Sequence, residues 1–529
     1  MPDPHAPNIL LIMTDQQRHD TIGALGNAMI RTPNLDRLCD EGVAFRKAYT
    51  PCPVCVAARC ALLTGVAPHV SGCVDNMPQP QQTASFVNHL ADAGYQTHGA
   101  GKMHFSPDPL RSWGFDSRDV SEEEEQAGDN DDFRGHVAAA GYGHVLEPHG
   151  LRSEFYYLPQ PSQLPTRHHH TAWVVDRSLD FLAERDRDRP FFLMTSFIKP
   201  HPPFESPEPW SRLYRVPEMP LPFVPEESRE LWSYWNQVQN RYKYTDGGDD
   251  HYLARMRRAA YYGCISFIDQ QVGRLLEALG DDLDDTLILF CSDHGELLGD
   301  YGCYGKRSML DASARVPLIA RWPQRLPPGE VVDRPATLLD IAPTAFDAAG
   351  LRDHKPSPEG ESLIDLAADR CQRDVVYGQF QRGEYALYMA VTERDKYIYS
   401  AADNKAYYLD HEHDPRESRN AIGDPASRAR VRSLQQSLID RHTRDHDTLA
   451  VSHGDWREYP PRHLQLNADE ALLFQDSARL QPTVDRLEAG YARNVTVSDG
   501  AAIRLLSARP TTGPEERLPE PPESTPIST

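Results

Sequence analysis

The sequence predicts an α/β fold: a large, mixed but mostly parallel sheet sandwiched by helices, with a smaller C-terminal α+β subdomain. Two patterns in the first part of the chain support the large sheet. Short apolar, β-rich runs alternate with amphipathic segments, and the runs are apolar almost without a break, as in strands buried on both faces. From about residue 375 the pattern changes to closely spaced strands and turns, which predicts the second unit.

The main sheet is predicted from apolar runs separated by amphipathic helical segments. The predicted strands are NILLIM (8–13), VAFRKAY (43–49), YQTHGA (95–100), PFFLMTSF (190–197), TLILFC (286–291) and VPLIAR (316–321). The predicted helices include TPNLDRLCDEG (32–42), SFVNHLADAG (85–94), TAWVVDRSLDFLAER (171–185) and SFIDQQVGRLLEALG (266–280). Helical crossovers between successive strands favour parallel pairing.

The domain boundaries follow these changes in pattern. Residues 1–370 are predicted to form the large α/β domain. Residues 371–454 are predicted to form the α+β subdomain, with antiparallel strands and a helix near 426–442. Residues 455–508 form an extension to which no structure is assigned, and it is the segment that would serve contacts in a homo-oligomer. The tail 509–529 is rich in Pro, Glu, Ser and Thr and is predicted to be disordered.

Charge and cysteine content exclude several classes of protein. The 529-residue chain has a formal net charge of −23 at pH 7, which argues against a nucleic-acid partner, because binding a polyanion needs a basic surface. No apolar run approaches the roughly 20 residues of a membrane span, so no membrane partner is expected. Nine scattered cysteines and an N-terminus without a signal-peptide pattern predict a cytoplasmic protein with reduced thiols.

Polar residues follow two predicted strands at their carboxyl ends, where open parallel sheets bind ligands. Asp15 and Gln16 follow NILLIM-Thr, and Asp293 and His294 follow TLILFC-Ser. Either Asp taken alone is more often the N-cap of the next helix. Taken together, these oxygens and one imidazole suit a hard divalent cation.

Cationic and imidazole groups follow two further strands and one loop. Lys102 and His104 follow YQTHGA-Gly, His201 follows PFFLMTSF, and Lys306 stands in YGCYGKRSM. A lone His at a strand end is usually structural. Together these side chains could bind an anionic substrate and donate protons to it.

The segment PCPVCVAARCALLTG (51–65) places three cysteines at a strand-to-helix junction. Cys55 falls in the first helical turn, where backbone N–H groups favour negative charge, and Arg59 lies one turn further on the same face. The residues alone leave four interpretations open: a C-x-x-C redox pair, a structural zinc site that also uses His69 or Cys73, inert buried thiols, or one reactive residue at position 55.

An acidic run and two long loops give weaker indications of function. The acidic run SEEEEQAGDNDD (121–132) lacks the Gly and Glu of a calcium-binding EF-hand loop and is interpreted as a solvated surface loop. The loops 106–170 and 228–252 are expected to set substrate identity. The run RHHH (167–170) either lines the substrate pocket or is solvated, and His170 is its candidate substrate-binding residue.

Several motifs in one order resemble the type I sulfatases of the alkaline-phosphatase-like superfamily, near the branch of the phosphonate monoester hydrolases. They are NILLIMTDQQRHD, TPNLDRLCDEGVAF, CVAARCALLTG, GAGKMHF, IKPHPPF and SDHGELLGDYGCYGK. The resemblance covers about residues 7–325 and continues more weakly through RDKYIYS and AYYLDHEHDPRESRN. It implies the alkaline-phosphatase-like fold.

The resemblance implies that Cys55 is oxidised to formylglycine by a maturation enzyme. Ala57 and Arg59 hold the other motif positions, and Ala57 replaces the commoner Pro. In such enzymes one hydroxyl of the hydrated aldehyde attacks the ester, and the other expels the anion as the aldehyde re-forms. Arg59 would orient this group.

The resemblance also implies one divalent metal, calcium first and manganese second, held by Asp15, Gln16, Asp293 and His294 together with residue 55. Gln16 stands where many sulfatases have a second Asp, and His294 where many have Asn. Lys102 and His104 would flank residue 55, with His104 as base for the elimination step. His201 and Lys306, with Lys102, would bind the non-bridging oxygens and protonate the leaving group.

The implied activity is hydrolysis of a sulfate monoester, a small anionic ester of a sugar or aryl alcohol. A phosphonate monoester or phosphodiester hydrolase on the same scaffold is the first alternative. A catalytically inactive binding protein or a thiol oxidoreductase is the alternative from a different class.

Overall fold

The structure is a computed structural model. It describes residues 6–123, 130–152, 156–243, 250–354 and 356–462, together with the strands at 472–475, 492–498 and 501–506. Much of the predicted extension and the whole predicted tail, 509–529, lie outside the described residues. No described helix is both long and apolar enough to cross a bilayer.

The strands are β1 Asn8–Asp15, β2 Val43–Phe45, β3 Ala48–Tyr49, β4 Gln96–Gly101, β5 Ser117–Val120, β6 Gln160–Pro161, β7 Phe191–Pro200, β8 Glu205–Ser206, β9 Thr286–Ser292, β10 Arg315–Val316, β11 Leu318–Arg321, β12 Glu330–Val332, β13 Ala336–Thr337, β14 Val376–Phe380, β15 Leu387–Val391, β16 Asp395–Ser400, β17 Lys405–Asp410, β18 Val451–Ser452, β19 Asp455–Trp456, β20 Leu472–Gln475, β21 Ala492–Ser498 and β22 Ala501–Leu506.

The α-helices are α1 Pro33–Glu41, α2 Cys55–Thr64, α3 Pro68–Ser71, α4 Phe86–Asp92, α5 Asp132–Val137, α6 His170–Glu184, α7 Tyr234–Lys243, α8 His251–Leu279, α9 Asp311–Ala314, α10 Ile341–Ala348, α11 Leu363–Ala367 and α12 Arg428–Arg444.

The main sheet has eight strands in the order β12-β2-β11-β9-β1-β7-β4-β5. Strand β11 pairs antiparallel with β9 and β2, and the other neighbours pair parallel. The predicted fold class, mixed and mostly parallel, is therefore confirmed. Strand β1 lies between β9 and β7, so that three of the polar strand ends predicted from the sequence are neighbours.

Alternate side chains of β1 point into two separate cores. Ile9, Leu11 and Met13 pack in the core that includes residues of α2, α4 and α10. Leu10 and Ile12 pack in the core that includes residues of α1, α6 and α8. The continuous apolar sequence of the strand follows from this burial on both faces.

The smaller unit is the four-stranded antiparallel sheet β14-β15-β16-β17 with helix α12. One face of this sheet packs on α12, with Tyr388 against Leu438 in a separate core. The other face, with Leu387 and Met389, joins the main core. These elements fall inside the range 371–454, whose exact boundaries stay a prediction.

Two predicted strands are each divided. VAFRKAY contains β2 of the main sheet and β3 of a separate three-stranded sheet, with Arg46 and Lys47 between them. VPLIAR is interrupted at Pro317, which has no N–H to donate to a neighbouring strand. The helix predicted at 266–280 is much longer and begins at His251.

Candidate active site

The carboxyl ends of β1, β9, β4 and β7 converge on the N-terminus of α2. Asp15 ends β1, and Asp293 follows β9, which pairs with β1 through Thr14 and Ser292. Lys102 follows β4, and His201 follows β7. All four of these side chains are at most 1% exposed, so the sheet gathers charged groups in a buried site.

Cys55 is the first residue of α2, whose ten residues are all buried. Its Sγ lies 2.8 Å from Nζ of Lys306 and 3.2 Å from Nε2 of His294. Burial opposes ionisation of the thiol, but Lys306, Lys102 and His294 together hold the pKa of Cys55 well below its ordinary value. The surroundings of position 55 thus favour a negatively charged group there.

Four side chains, including that of residue 55, could hold a metal ion. One ligand atom each from Asp15, Cys55, Asp293 and His294 lies within 4.8 Å of the others. Nδ1–H of His294 faces the carbonyl of Gly295 at 3.0 Å, which leaves Nε2 as the free ligand atom. Two carboxylates and one imidazole turned toward each other fit a divalent cation.

Gln16 contacts this group through its backbone and carries a candidate ligand oxygen in its side chain. Its backbone N–H donates to Oδ1 of Asp293 at 3.0 Å, and its Nε2 donates to Glu296. The amide Oε1 is buried and has no hydrogen-bond partner among the described residues. A buried oxygen without a hydrogen-bond partner can serve as a ligand, so these residues fit the divalent metal that the resemblance implies.

Arg59 hydrogen bonds with two of the candidate metal ligands. Its Nε donates to Asp293 at 3.0 Å, one Nη donates to Asp15 at 3.3 Å, and the other donates to Ser196 at 2.8 Å. Among the described residues no hydrogen bond joins Arg59 to Cys55, and the predicted role of Arg59 in orienting the hydrated aldehyde stays a prediction. Arg59 fixes the carboxylates.

The two aspartates respond differently to this environment. Burial would raise the pKa of Asp15, but Lys102, His201 and Lys306 hold it below its ordinary value. Burial and the neighbouring Asp15 raise the pKa of Asp293, against the effects of His294 and Arg59. A cation bound beside these two carboxylates would stabilise their charged forms.

Lys102 is held by two carboxylates. Its Nζ lies 2.6 Å from Asp15 and 2.8 Å from Glu123. Although burial opposes its charge, these carboxylates raise the pKa of Lys102 above its ordinary value. Lys102 therefore carries a positive charge beside residue 55.

Glu122 and Glu123 correct the interpretation of the acidic run as a solvated loop. They are 1% and 5% exposed, because Glu122 accepts the backbone N–H of His104 at 2.9 Å and Glu123 contacts Lys102 and His201. Residues 124–129 of the run lie outside the described residues. Sequence pattern missed Glu123, since its buried partners come from distant strands.

His104 and His201 both lie near residue 55. His104 contributes to the lowered pKa of the Cys55 thiol, and its Nδ1 has no hydrogen-bond partner among the described residues. Nδ1 of His201 lies 2.7 Å from the carbonyl of Pro202 and 3.2 Å from Glu123. Burial lowers the pKa of His201 to about 4, although Glu123 opposes the shift.

His170 lies apart from these groups. Its ring is fully buried against Phe133 and His149, with ring centroids 5.0 Å apart in both pairs. Neither ring nitrogen has a hydrogen-bond partner among the described residues. Its role in substrate binding stays a prediction that no contact supports.

The cysteine cluster contains one residue of the site. Cys52 donates to the carbonyl of Val74 at 3.5 Å, and Cys60 is buried in the core. All nine cysteines lie among the described residues, and each is a free thiol. The expectation of reduced thiols stays a prediction.

Comparison with known proteins decides the family. The family profile described as Sulfatase matches residues 7–351. This chain belongs to the sulfatase family. A second profile, N-sulphoglucosamine sulphohydrolase, C-terminal, matches residues 299–444 of this sulfatase-family enzyme.

Relatives with names support a sulfuric ester hydrolase. An arylsulfatase of Clostridium perfringens is 34% identical over 461 residues, which cover 82% of this chain and 94% of the relative. A choline-sulfatase of Rhizobium meliloti is 30% identical and covers 79% of this chain and 83% of its own. The phosphonate monoester hydrolase of Agrobacterium radiobacter has a solved structure with a TM-score of 0.73 and 25% identity, covering 86% of this chain and 100% of its own.

Proposed function

We propose that this enzyme hydrolyses sulfate monoesters of sugar or aryl alcohols through a formylglycine made from Cys55, with one divalent metal. The observation that carries the proposal is the position of residue 55. It stands at the helix N-terminus with Asp15, Asp293 and His294 on one side and Lys306 at 2.8 Å on another.

The chain's own side chains divide the work around the ester. When bound, the metal supplies positive charge at the nucleophilic hydroxyl of residue 55. Lys102 and Lys306 place ammonium groups where the non-bridging oxygens would lie. His201 or Lys306 donates a proton to the oxygen of the leaving alcohol as its bond to sulfur breaks. His104 accepts a proton from the second hydroxyl, so that the sulfate leaves residue 55.

A maturation enzyme is the partner this proposal requires. Cys55 is 1% exposed and its helix is buried throughout, so a modifying enzyme cannot reach the thiol in the folded chain. We therefore place the oxidation before the segment around Cys55 folds. Calcium is the preferred metal and manganese the second, because carboxylate and amide oxygens accompany one imidazole.

Intact mass and substrate comparison test the proposal. Protein from its native host is expected to show residue 55 lighter than a cysteine by about 18 Da, the mass difference between a CH₂SH group and a formyl group. The Cys55→Ala variant is expected to lose activity on p-nitrophenyl sulfate, whereas Cys52→Ala, the matched buried thiol, keeps it. An unmodified thiol with full activity in Cys55→Ala contradicts the proposal.

A phosphonate monoester or phosphodiester hydrolase is the second candidate. The structural similarity to the phosphonate monoester hydrolase favours it. Initial rates on p-nitrophenyl sulfate and on a phenyl phosphonate ester separate the two candidates. We expect the sulfate ester to be hydrolysed faster. A rate on the phosphonate ester far above the rate on the sulfate would make the phosphonate hydrolase the first candidate.

A further inference from the structure

Glu296 lies beside the candidate metal ligand Gln16 and is fully buried. We propose that Glu296 is a positioning residue that fixes which atom of the Gln16 amide faces the metal, an inference that rests on the proposed function for the existence of that metal. Glu296 is not itself in the group of ligand atoms around residue 55.

The surroundings of Glu296 consist of hydrogen-bond donors. Its Oε2 accepts from Nε2 of Gln16 and from the hydroxyl of Tyr157 at 2.8 Å. Its Oε1 accepts from the backbone N–H of Leu298 at 2.9 Å and of Gly305 at 2.6 Å. A carboxylate can only accept, so the amide must turn its NH₂ toward Glu296 and its Oε1 away.

The backbone of Gln16 is held in place, so only the side-chain amide can change its orientation. The residue has a left-handed conformation with φ of 67°. Its N–H donates to Asp293 at 3.0 Å, and its carbonyl accepts from the hydroxyl of Tyr261 at 2.6 Å. These hydrogen bonds hold both backbone groups of Gln16. The hydrogen bond to Glu296 therefore decides whether the oxygen or the NH₂ group of the amide faces the candidate ligands around residue 55.

A neutral amide at position 296 would reverse the orientation. In Glu296→Gln the oxygen must stay on the N–H groups of Leu298 and Gly305, because these donors need an acceptor. Its NH₂ then faces the NH₂ of Gln16. The amide of Gln16 is expected to flip, which directs two N–H donors at the metal position.

Metal affinity tests the inference without any assay of activity. Full-length protein is freed of metal by chelation, and calorimetric titration with Ca²⁺ and with Mn²⁺ gives the Kd. Glu296→Gln is expected to raise the Kd at least about tenfold, the effect typical of losing a group that orients a metal ligand. Tyr157→Phe, the matched control, removes a donor from the same Oε2 without touching Gln16, and its Kd should stay within about twofold of the wild type.

A double variant that exchanges the amide and the carboxylate gives a second test of the inference. In Gln16→Glu with Glu296→Gln, the new amide donates to the new carboxylate, and an oxygen again faces the metal. This double variant is expected to bind metal at least as tightly as the wild type. It should also bind more tightly than Gln16→Glu alone, in which two carboxylates face each other.

The outcomes separate this inference from the proposed function. A Glu296→Gln variant within twofold of the wild-type Kd overturns the inference, as does a double variant no tighter than Glu296→Gln. If Glu296→Gln does not fold by circular dichroism, equal affinities of the double variant and Gln16→Glu overturn it. A wild-type protein that binds neither ion contradicts the metal in the proposed function, and the inference with it.

Discussion

At the scale of residues, Lys306 and His201 are the two candidate proton donors near residue 55. Lys306 contacts the sulfur directly, and His201 lies between residue 55 and Glu123. Both positions suit a group that protonates the leaving alcohol. Activity on esters whose leaving groups differ in pKa distinguishes the two residues.

A series of aryl and alkyl sulfates identifies the acid. The variants His201→Gln and Lys306→Met are compared on leaving groups of increasing pKa. The variant that lacks the acid should lose about 10²–10⁴-fold more activity on an alkyl sulfate than on p-nitrophenyl sulfate, since nitrophenolate leaves without a proton.

The matched control for this series is His69→Gln. His69 is paired with Asp445 at 2.7 Å and is not one of the four candidate ligands Asp15, Cys55, Asp293 and His294. Its rate should show the same dependence on leaving-group pKa as the wild type. Parallel slopes for all three variants would contradict the assignment of either residue as acid.

At the scale of elements, the start of α6 buries an unusual pair of imidazoles. His170 opens the helix, and His149 packs against it from the preceding loop. None of their four ring nitrogens has a hydrogen-bond partner among the described residues. Burial, with the neighbouring cations, holds the pKa of each well below its ordinary 6.5. The charged groups that act on this pair are Lys102, Arg134, His169, Lys199 and Glu205.

These histidines should make the fold sensitive to acid. Because each pKa is lower in the folded state than in the unfolded chain, the unfolded chain binds more protons once the pH falls below about 6.5. Stability is therefore expected to decrease below that pH, by up to about 1.4 kcal/mol per pH unit for each histidine. Thermal unfolding between pH 8 and pH 5 measures the slope.

The variant His149→Phe with His170→Phe should flatten that slope. Part of it should remain, since burial also lowers the pKa of His19, His69 and His201 to about 4. An acid slope equal to that of the wild type would show that the pair does not contribute.

At the scale of the whole molecule, a buried ion cluster joins the small sheet to the main domain. Lys396 on β16 is fully buried, and its Nζ contacts Asp311 on α9 and Glu417 after β17. His411 also contacts Glu417, at 2.9 Å. The ammonium of Lys396 balances the charge of these acidic groups, so no bound metal ion is needed there. We therefore interpret the cluster as structural.

Removing that ammonium should destabilise the packing of the two units. Lys396→Met leaves two buried carboxylates facing each other, and we expect a loss of about 3–5 kcal/mol in the free energy of unfolding. Denaturant unfolding measures it. Arg419→Met, which breaks the exposed pair with Asp424, is the control and should cost less than about 1 kcal/mol. Equal effects of the two substitutions would contradict the structural role of the cluster.

The sequence by itself determined the class of fold and the strand ends that carry the chemistry. Apolar runs buried on both faces have few alternatives to a parallel sheet covered by helices, and polar residues after such strands meet at one edge. Asp15, Asp293 and Lys102 could be proposed for this reason. The motifs around Cys55 also identified the family before any coordinates.

Only the tertiary structure decided the partners of these residues. Glu123 and Glu296 became part of the site because loops from different strands bring donors to them, and no local pattern encodes such contacts. Arg59 on α2 pairs with the carboxylates of Asp15 and Asp293, which stand at the ends of two different strands. Periodicity reports the burial of a side chain, whereas its hydrogen bonds depend on which distant segments fold against it.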